Sequence, residues 1–183
     1  MKALLKEPRS GEKIKKVTDL VENIITRIIE EPAFLYSLLT LKSYDYYTYT
    51  HSINVAILAI GLGIQMKMDK EQIQKLGIGA ILHDLGKAEI PHEILNKQSK
   101  LTDVEYQTIK HHVIRGYELL KDNKDLPQES LNVVLQHHEK LTGKGYLYGL
   151  KKDEISIFSK ITSIADCYDA LPTRRPYKAP LLF

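Results

Sequence analysis

The chain has little that would staple or anchor it. Among its 183 residues there is one cysteine, Cys167. An internal disulfide is therefore excluded, and the usage fits a reducing cytosol. Cys167 lies between apolar positions and is expected to be buried and inert. The longest apolar run, 55–64, is about half a membrane span and reads as a buried helix. The stretch 1–16 is polar and charged and lacks the apolar segment of a secretion signal, so a cytoplasmic location is expected. There is no internal repeat, no low-complexity segment and no convincing strand-like alternation. Charge is not one-sided either: 26 Lys and Arg face 23 Asp and Glu, a net of +3. That is too mild to imply a nucleic-acid polymer as partner, yet it does not oppose a small anionic substrate.

What is present is helical period. Hydrophobic residues make up 43% of the chain and charged ones 27%, ordinary for a globular domain of this size. Ile14, Val17, Leu20, Val21, Ile24, Ile25 and Ile28 form one stripe at three- and four-residue steps. Pro32 should end that helix or begin the next. Further helices are expected over about 50–66; from Asp69 to the His83-Asp84 turn; over 91–95; over 102–120; from Pro127 through His137 and His138; and over 154–171. Asp69 with Gln72 and Thr102 with Glu105 have capping-box spacing. Gly86 suits a helix C-terminal position. In the last helix Ile157, Ile161, Ile164, Ala165 and Tyr168 are in helical register. The stretch 142–153, rich in Gly, Lys and Tyr, is expected to be an exposed, mobile loop. The expectation is one all-α domain over 1–183, with about the first twelve residues as a flexible lead-in.

Five of the seven histidines fall into a pattern with two aspartates: His51, His83-Asp84, His112, His137-His138 and Asp166. Imidazole and carboxylate together suit borderline divalent metals: iron, manganese, nickel or zinc. The set exceeds what one tetrahedral structural site uses, which suggests two ions sharing a bridging carboxylate. Such a pair activates water and clamps a phosphoryl group. His83 and Asp84 close an apolar helix, where both side chains can converge on one centre. His137 and His138 lie in apolar surroundings and are costly to bury without ligands. Of His111 and His112, one is a candidate ligand and the other faces solvent. His51 taken alone reads as a capping or surface residue. Asp166 sits in an apolar stretch that disfavours an unpaired carboxylate. Asp169, on a neighbouring face, suits a role holding a ligand or a water. His92, in a polar turn, is given no role.

The order and spacing of these motifs resemble the HD superfamily of metal phosphohydrolases, and more narrowly its HD-GYP branch. The resemblance rests on Tyr49-Thr50-His51-Ser52-Ile53-Asn54, His83-Asp84-Leu85-Gly86-Lys87, His112-Val113-Ile114-Arg115-Gly116, His137-His138-Glu139, Gly143-Lys144-Gly145-Tyr146, Ala165-Asp166-Cys167-Tyr168-Asp169 and Arg175-Pro176-Tyr177. It implies an HD-domain helical bundle with a central metal site that hydrolyses a cyclic dinucleotide, chiefly cyclic di-GMP, through attack of a metal-bridging hydroxide. It implies two divalent ions, iron or manganese, with zinc and nickel as alternatives. By position, His51, His83, Asp84 and Asp166 correspond to ligands of one metal. His112, His137 and His138 correspond to ligands of the second, with Asp84 bridging. Lys87 corresponds to a lysine acting on the scissile phosphate or the leaving oxygen. Asp169, Arg175 and Lys178 correspond to positions near the second phosphate and the attacking water, and Tyr146 to a residue on the substrate side. The loop 142–153 corresponds to a surface for a signalling partner of the GGDEF type.

Four departures stand out. Leu147 replaces the proline of the name-giving motif. Arg174 stands where an acidic residue is common. Tyr47 occupies a position that in some members is a glutamate for a third metal, so two metals are expected. The chain ends at Phe183, where family domains usually continue into further helix. Two alternatives remain beside the cyclic di-GMP reading: an HD-type phosphohydrolase acting on another nucleotide or a mixed cyclic dinucleotide, and a non-catalytic metal-binding or signalling module.

Overall fold

The computed structural model describes residues 10–31 and 47–171, with side chains from residue 50 onward in the second stretch. Most of the expected lead-in, Pro32, the Tyr47 side chain, Arg174, Arg175, Pro176, Tyr177 and Lys178 therefore lie outside the described structure. The described residues form eight α-helices: α1 Gly11–Glu30, α2 Tyr47–Gln65, α3 Lys70–Leu82, α4 His92–Leu95, α5 Asp103–Lys110, α6 His112–Leu120, α7 Gln128–Gln136 and α8 Ile157–Ala170. Two short 3₁₀ turns, Leu85–Glu89 and Lys152–Glu154, complete them. Among the described residues the only sheet-like pairing is one isolated bridge, Thr142 to Lys151. The all-α expectation is borne out. None of the described helices is long and apolar enough to cross a membrane.

Helix α3 is the centre of the bundle. It is buried on nearly every face, from Ile73 through Leu82, which is why its sequence is apolar all round rather than striped. It packs against α1, α2, α7 and, more lightly, α8. Two glycines permit this crowding. A Cβ at Gly77 would press on Val21 of α1 and Ile60 of α2, and one at Gly79 would press on Val133 of α7. Helix α1 contributes the stripe anticipated from its period, with Ile14, Val17, Val21, Ile24, Ile25 and Ile28 buried. Leu20 falls at its edge and is 40% exposed. Both capping boxes form, with Gln72 N–H donating to Asp69 at 2.8 Å and Glu105 N–H to Thr102 Oγ1 at 3.3 Å.

Four local expectations are corrected. The helix expected over 102–120 breaks at His111, whose ψ of −7° ends α5. The break leaves His111 exposed and turns His112 fully inward. In α8 the buried stripe is Phe158, Ile161, Thr162, Ala165 and Asp169, whereas Ile157, Ile164 and Tyr168 are exposed. The helix starts later than expected, with Ser156 capping Phe158 N–H, and its inward stripe includes a carboxylate that apolar counting passes over. Cys167 lies on the outer face and is exposed rather than buried. Gly86 is the fourth correction. It lies within the 3₁₀ turn, not at a positive-φ cap, and its absent side chain is a matter of space. A Cβ there would overlap the backbone carbonyl of His112 and the amide of Gly116.

The Gly86–Gly116 crossing presses the turn after Asp84 against α6, the helix that His112 begins. Gly86→Ala must displace backbone and should destabilise the metal-free protein toward the upper end of about 1–3 kcal/mol for overpacking. Urea denaturation measures this, and a change within about 0.5 kcal/mol, the range of an ordinary surface substitution, would contradict the crossing.

Candidate metal centre

Four of the candidate residues sit at helix ends, and this fixes their chemistry. The last carbonyls of a helix have no partner within it. His83 follows α3 and bonds through Nδ1 to the Ala80 carbonyl at 2.6 Å. His112, just past α5, bonds through Nδ1 to the Ile109 carbonyl at 2.8 Å. His137, capping α7, bonds through Nδ1 to the Val133 and Val134 carbonyls, each at 3.1 Å. A carbonyl can only accept, so Nδ1 carries the proton in all three rings. Each Nε2 then faces the common centre, where a neutral ring would offer a lone pair. The fourth residue, Asp84, lies directly after His83 at the start of the 3₁₀ turn.

Asp84 stands between two groups of side chains. Its Oδ2 lies 3.3 Å from His83 Nε2 and 3.6 Å from His51 Nε2. Its Oδ1 lies 3.3 Å from His112 Nε2 and 3.8 Å from His137 Nε2. The donor atoms of Asp84, His112, His137 and His138 lie within 4.8 Å of one another, as do those of His51, His83 and Asp166. The structure thus brings all seven sequence-selected residues together, in the two groups expected. Asp166 approaches His51 Nε2 at 3.1 Å. His51 is buried inside α2 and is no surface residue.

The arrangement fits divalent cations. His83 Nε2 and Asp84 Oδ1 are buried with no hydrogen-bond partner among the described residues, a costly state unless something else satisfies them. Neutral donors are what a cation needs, and burial supplies them. Burial pulls His137 down to about 4. Burial, followed by the neighbouring His137 and His112, holds His138 well below the usual histidine range. Burial opposes ionisation of Asp84, but Lys87 and His83 outweigh it and hold its carboxyl well below the usual range. His51 goes the other way: burial lowers it, yet Asp166, Asp169 and Asp84 together raise it to about 9.

Lys87 makes a close ion pair with Asp84 Oδ2 and is partly exposed. Asp169 stands behind the cluster. Its Oδ2 is 2.7 Å from His51 Nδ1, and its Oδ1 accepts from Asn54 Nδ2 at 3.0 Å. This is the geometry of a carboxylate that orients a histidine, the ligand-holding role read for Asp169 from the sequence. Tyr146 stacks on His138 with centroids 4.7 Å apart. Arg175 and Lys178 lie outside the described residues.

Two residues escaped the sequence reading. Asn54 holds Asp169, a role that its place in the His51 motif does not by itself reveal. Glu139 is 5% exposed and binds the loop 142–153 through its backbone. Its Oε1 accepts from Tyr148 N–H at 2.6 Å and Gly149 N–H at 3.1 Å, and its Oε2 from Leu150 N–H at 3.1 Å. The signal was available: an acid directly before a Gly-rich stretch whose amides need acceptors. The loop is thus bonded to Glu139 at three consecutive amides, an anchor that its composition did not suggest. Gly143 and Gly149, with φ of 74° and 66°, allow its reversal.

The chain belongs to the HD domain family, whose signature matches residues 33–182. The HD-GYP resemblance read in the motifs is borne out by its relatives. It is 36% identical over 178 residues to the cyclic di-GMP phosphodiesterase PA4108 of Pseudomonas aeruginosa, covering 96% of this chain and 43% of that protein. It is 44% identical over 100 residues to 3'3'-cGAMP-specific phosphodiesterase 2 of Vibrio cholerae, covering 54% of this chain and 19% of that protein. Among solved structures, Bd1817, an HDG"Y"P protein from Bdellovibrio bacteriovorus, superposes with a TM-score of 0.85 at 23% identity, covering 97% of this chain and 58% of that one. The chain spans less than half the length of these two curated relatives.

The protonation pattern predicts how the metal-free protein responds to pH. His137 and His138 have folded pKa values below the unfolded value of 6.5. Their contribution is present above pH 6.5 and is lost as pH falls, through about 4 for His137. His51 is raised, so its contribution is complete below 6.5 and is lost as pH rises through about 9. Each unit of displacement is worth about 1.4 kcal/mol. In chelator, the urea midpoint should therefore decline from pH 6.5 to 4.5 and again from 7 to 9.5. A midpoint unchanged between pH 6.5 and 4.5 would contradict buried neutral histidines.

Proposed function

We propose that this domain is a two-metal phosphodiesterase that hydrolyses a cyclic dinucleotide, cyclic di-GMP first among them. The observation that carries the reading is Asp84, whose two carboxylate oxygens face separate histidine groups. His51, His83, Asp84 and Asp166 would hold one cation; His112, His137, His138 and Asp84 would hold the other. Iron or manganese suits this nitrogen and oxygen set, with zinc or nickel as less favoured occupants. When bound, such a pair supplies an activated water and neutralises charge on a phosphoryl group.

The chain's own groups do the rest. The carbonyl-bound imidazoles hold their Nε2 atoms in place without reorganisation. Asp169, steadied by Asn54, fixes the ring of His51. Lys87, at the partly exposed edge of Asp84, presents its ammonium to a phosphate oxygen or to the leaving oxygen. Arg175 and Lys178 are proposed for the second phosphate, where a guanidinium can bind in a bidentate way. Tyr146 borders the substrate side. The family's HD-type phosphohydrolase chemistry and the names of the relatives support this reading, and the cGAMP-specific relative favours a mixed cyclic dinucleotide as the second substrate to consider. The outer face of the loop, with Lys144, Lys151, Lys152 and the exposed Tyr148, is the surface proposed for a GGDEF-type partner; titration with such a domain should be weakened by reversing these three lysine charges, and unchanged affinity would discard that surface.

Anaerobically prepared, manganese- or iron-loaded protein should contain near two metal equivalents and should convert cyclic di-GMP to linear or mononucleotide product by chromatography. The same assay with cyclic GMP-AMP and cyclic di-AMP ranks the substrates. Metal-loaded protein that turns over none of them would overturn the phosphodiesterase reading in favour of a non-catalytic module. Lys87→Ala should keep its metals and lose about 10²–10³ in rate, the usual cost of one electrostatic contact to the reacting group. Unchanged turnover would remove Lys87 from the mechanism.

A further inference from the structure

Four of the five clustered histidines have a hydrogen bond at Nδ1. His83, His112 and His137 use backbone carbonyls, and His51 uses Asp169. His138 is the exception: among the described residues its ring has no hydrogen bond. Its ring is packed instead. The rings of His137 and His112 lie 4.1 and 5.1 Å away, edge-on or tilted, and Tyr146 stacks on it at 4.7 Å with only 26° between the planes. An imidazole held only by packing can turn about its Cβ–Cγ bond unless the ring stacked on its face is itself fixed.

Tyr146 is fixed by the loop that carries it, and the loop is fixed by Glu139. This side chain is nearly fully buried, and both its oxygens are engaged by the consecutive amides of Tyr148, Gly149 and Leu150. A carboxylate accepting several backbone N–H groups is a strong, charge-assisted anchor. The loop also folds back on the end of α7. Tyr146 N–H donates to the His138 carbonyl at 3.3 Å, and the Gly145 backbone lies so close to Glu139 and Lys140 that no side chain fits between them. Lys110, at the end of α5, holds its ammonium 5.4 Å from the Tyr146 ring centroid. Glu139 thus follows His138 in sequence and reaches it again through space, by way of the loop and Tyr146.

We propose that Glu139 is a positioning residue: it clamps the 143–150 loop so that Tyr146 stacks on His138 and aims that imidazole at the group formed with Asp84, His112 and His137. This rests on the metal reading above and deepens it. Tyr146 then serves the site through its ring face, as the substitute for the hydrogen bond His138 lacks. Removing an orienting partner of this kind typically lowers metal affinity 10–100-fold, and only one of the two cations depends on His138.

Manganese titration of the metal-free protein, with amide hydrogen exchange alongside, tests this without reference to turnover. In Glu139→Gln, which loses one acceptor oxygen, the amides of residues 148–150 should exchange faster. One metal equivalent should bind at least about tenfold more weakly, and the other as before. Tyr146→Leu should show the same loss of one equivalent, while Tyr146→Phe, which keeps the ring, should bind both metals as the unmodified protein does. Loosened amides with both metals still bound at full strength would overturn the proposal and leave Glu139 as a fold residue. So would equal weakening of both equivalents, or a Tyr146→Phe protein as impaired as Tyr146→Leu. Failure of the unmodified protein to bind two equivalents would overturn the two-metal reading itself, and the proposal with it; the variants and the unmodified protein therefore report separately.

Discussion

A carboxylate buried among imidazoles is the constraint on which the molecule turns. Asp84 is 4% exposed, and His51, His83, His112 and His137 surround it within 3.3 to 3.8 Å. A buried charge is expensive unless it is paired or bound to metal. Lys87 supplies one positive partner from the solvent side. Of the rings around it, burial pulls His137 down to about 4, whereas the neighbouring carboxylates raise His51 to about 9. The protein thus concentrates negative charge and lone pairs at one point, and a divalent cation on either side of Asp84 would relieve both.

The bundle is arranged to sustain that point. Helix α3 runs through the centre because Gly77 and Gly79 let α1, α2 and α7 close on it, and it delivers His83 and Asp84 where its own backbone runs out. The breaks after α5 and α7 do the same for His112 and for His137 and His138. At each break an imidazole Nδ1 donates to a carbonyl in the last turn of the helix. Helix ends, usually a liability in a protein interior, here set the tautomers of the site. Helices α2 and α8 then bring His51, Asp166 and Asp169 from positions more than a hundred residues apart in sequence.

Much of this was legible in the sequence. The seven clustered residues could be named, and divided into two groups, because polar side chains in apolar stretches are conspicuous and because their order matches a known family pattern. Capping boxes at Asp69 and Thr102 were equally plain, since two residue types at a fixed spacing carry the mechanism. What was not legible depended on contacts across the chain. The break at His111 has no proline or glycine to announce it. The α8 stripe was misread because Asp169 belongs to the inward face and Ile164 and Tyr168 do not. Gly86 looked like a cap and is instead a point where two backbones cross. Glu139 looked like the tail of a motif, although its carboxylate gathers three consecutive amides of the following loop.

The central claim is that Asp84 bridges two cations. Crystals grown with manganese and measured at its absorption edge test this directly. The account predicts two anomalous peaks, one on each side of the Asp84 carboxylate and about 3.5–4 Å apart, with His51, His83 and Asp166 around one and His112, His137 and His138 around the other. A single peak, or two peaks that do not share Asp84, would contradict it.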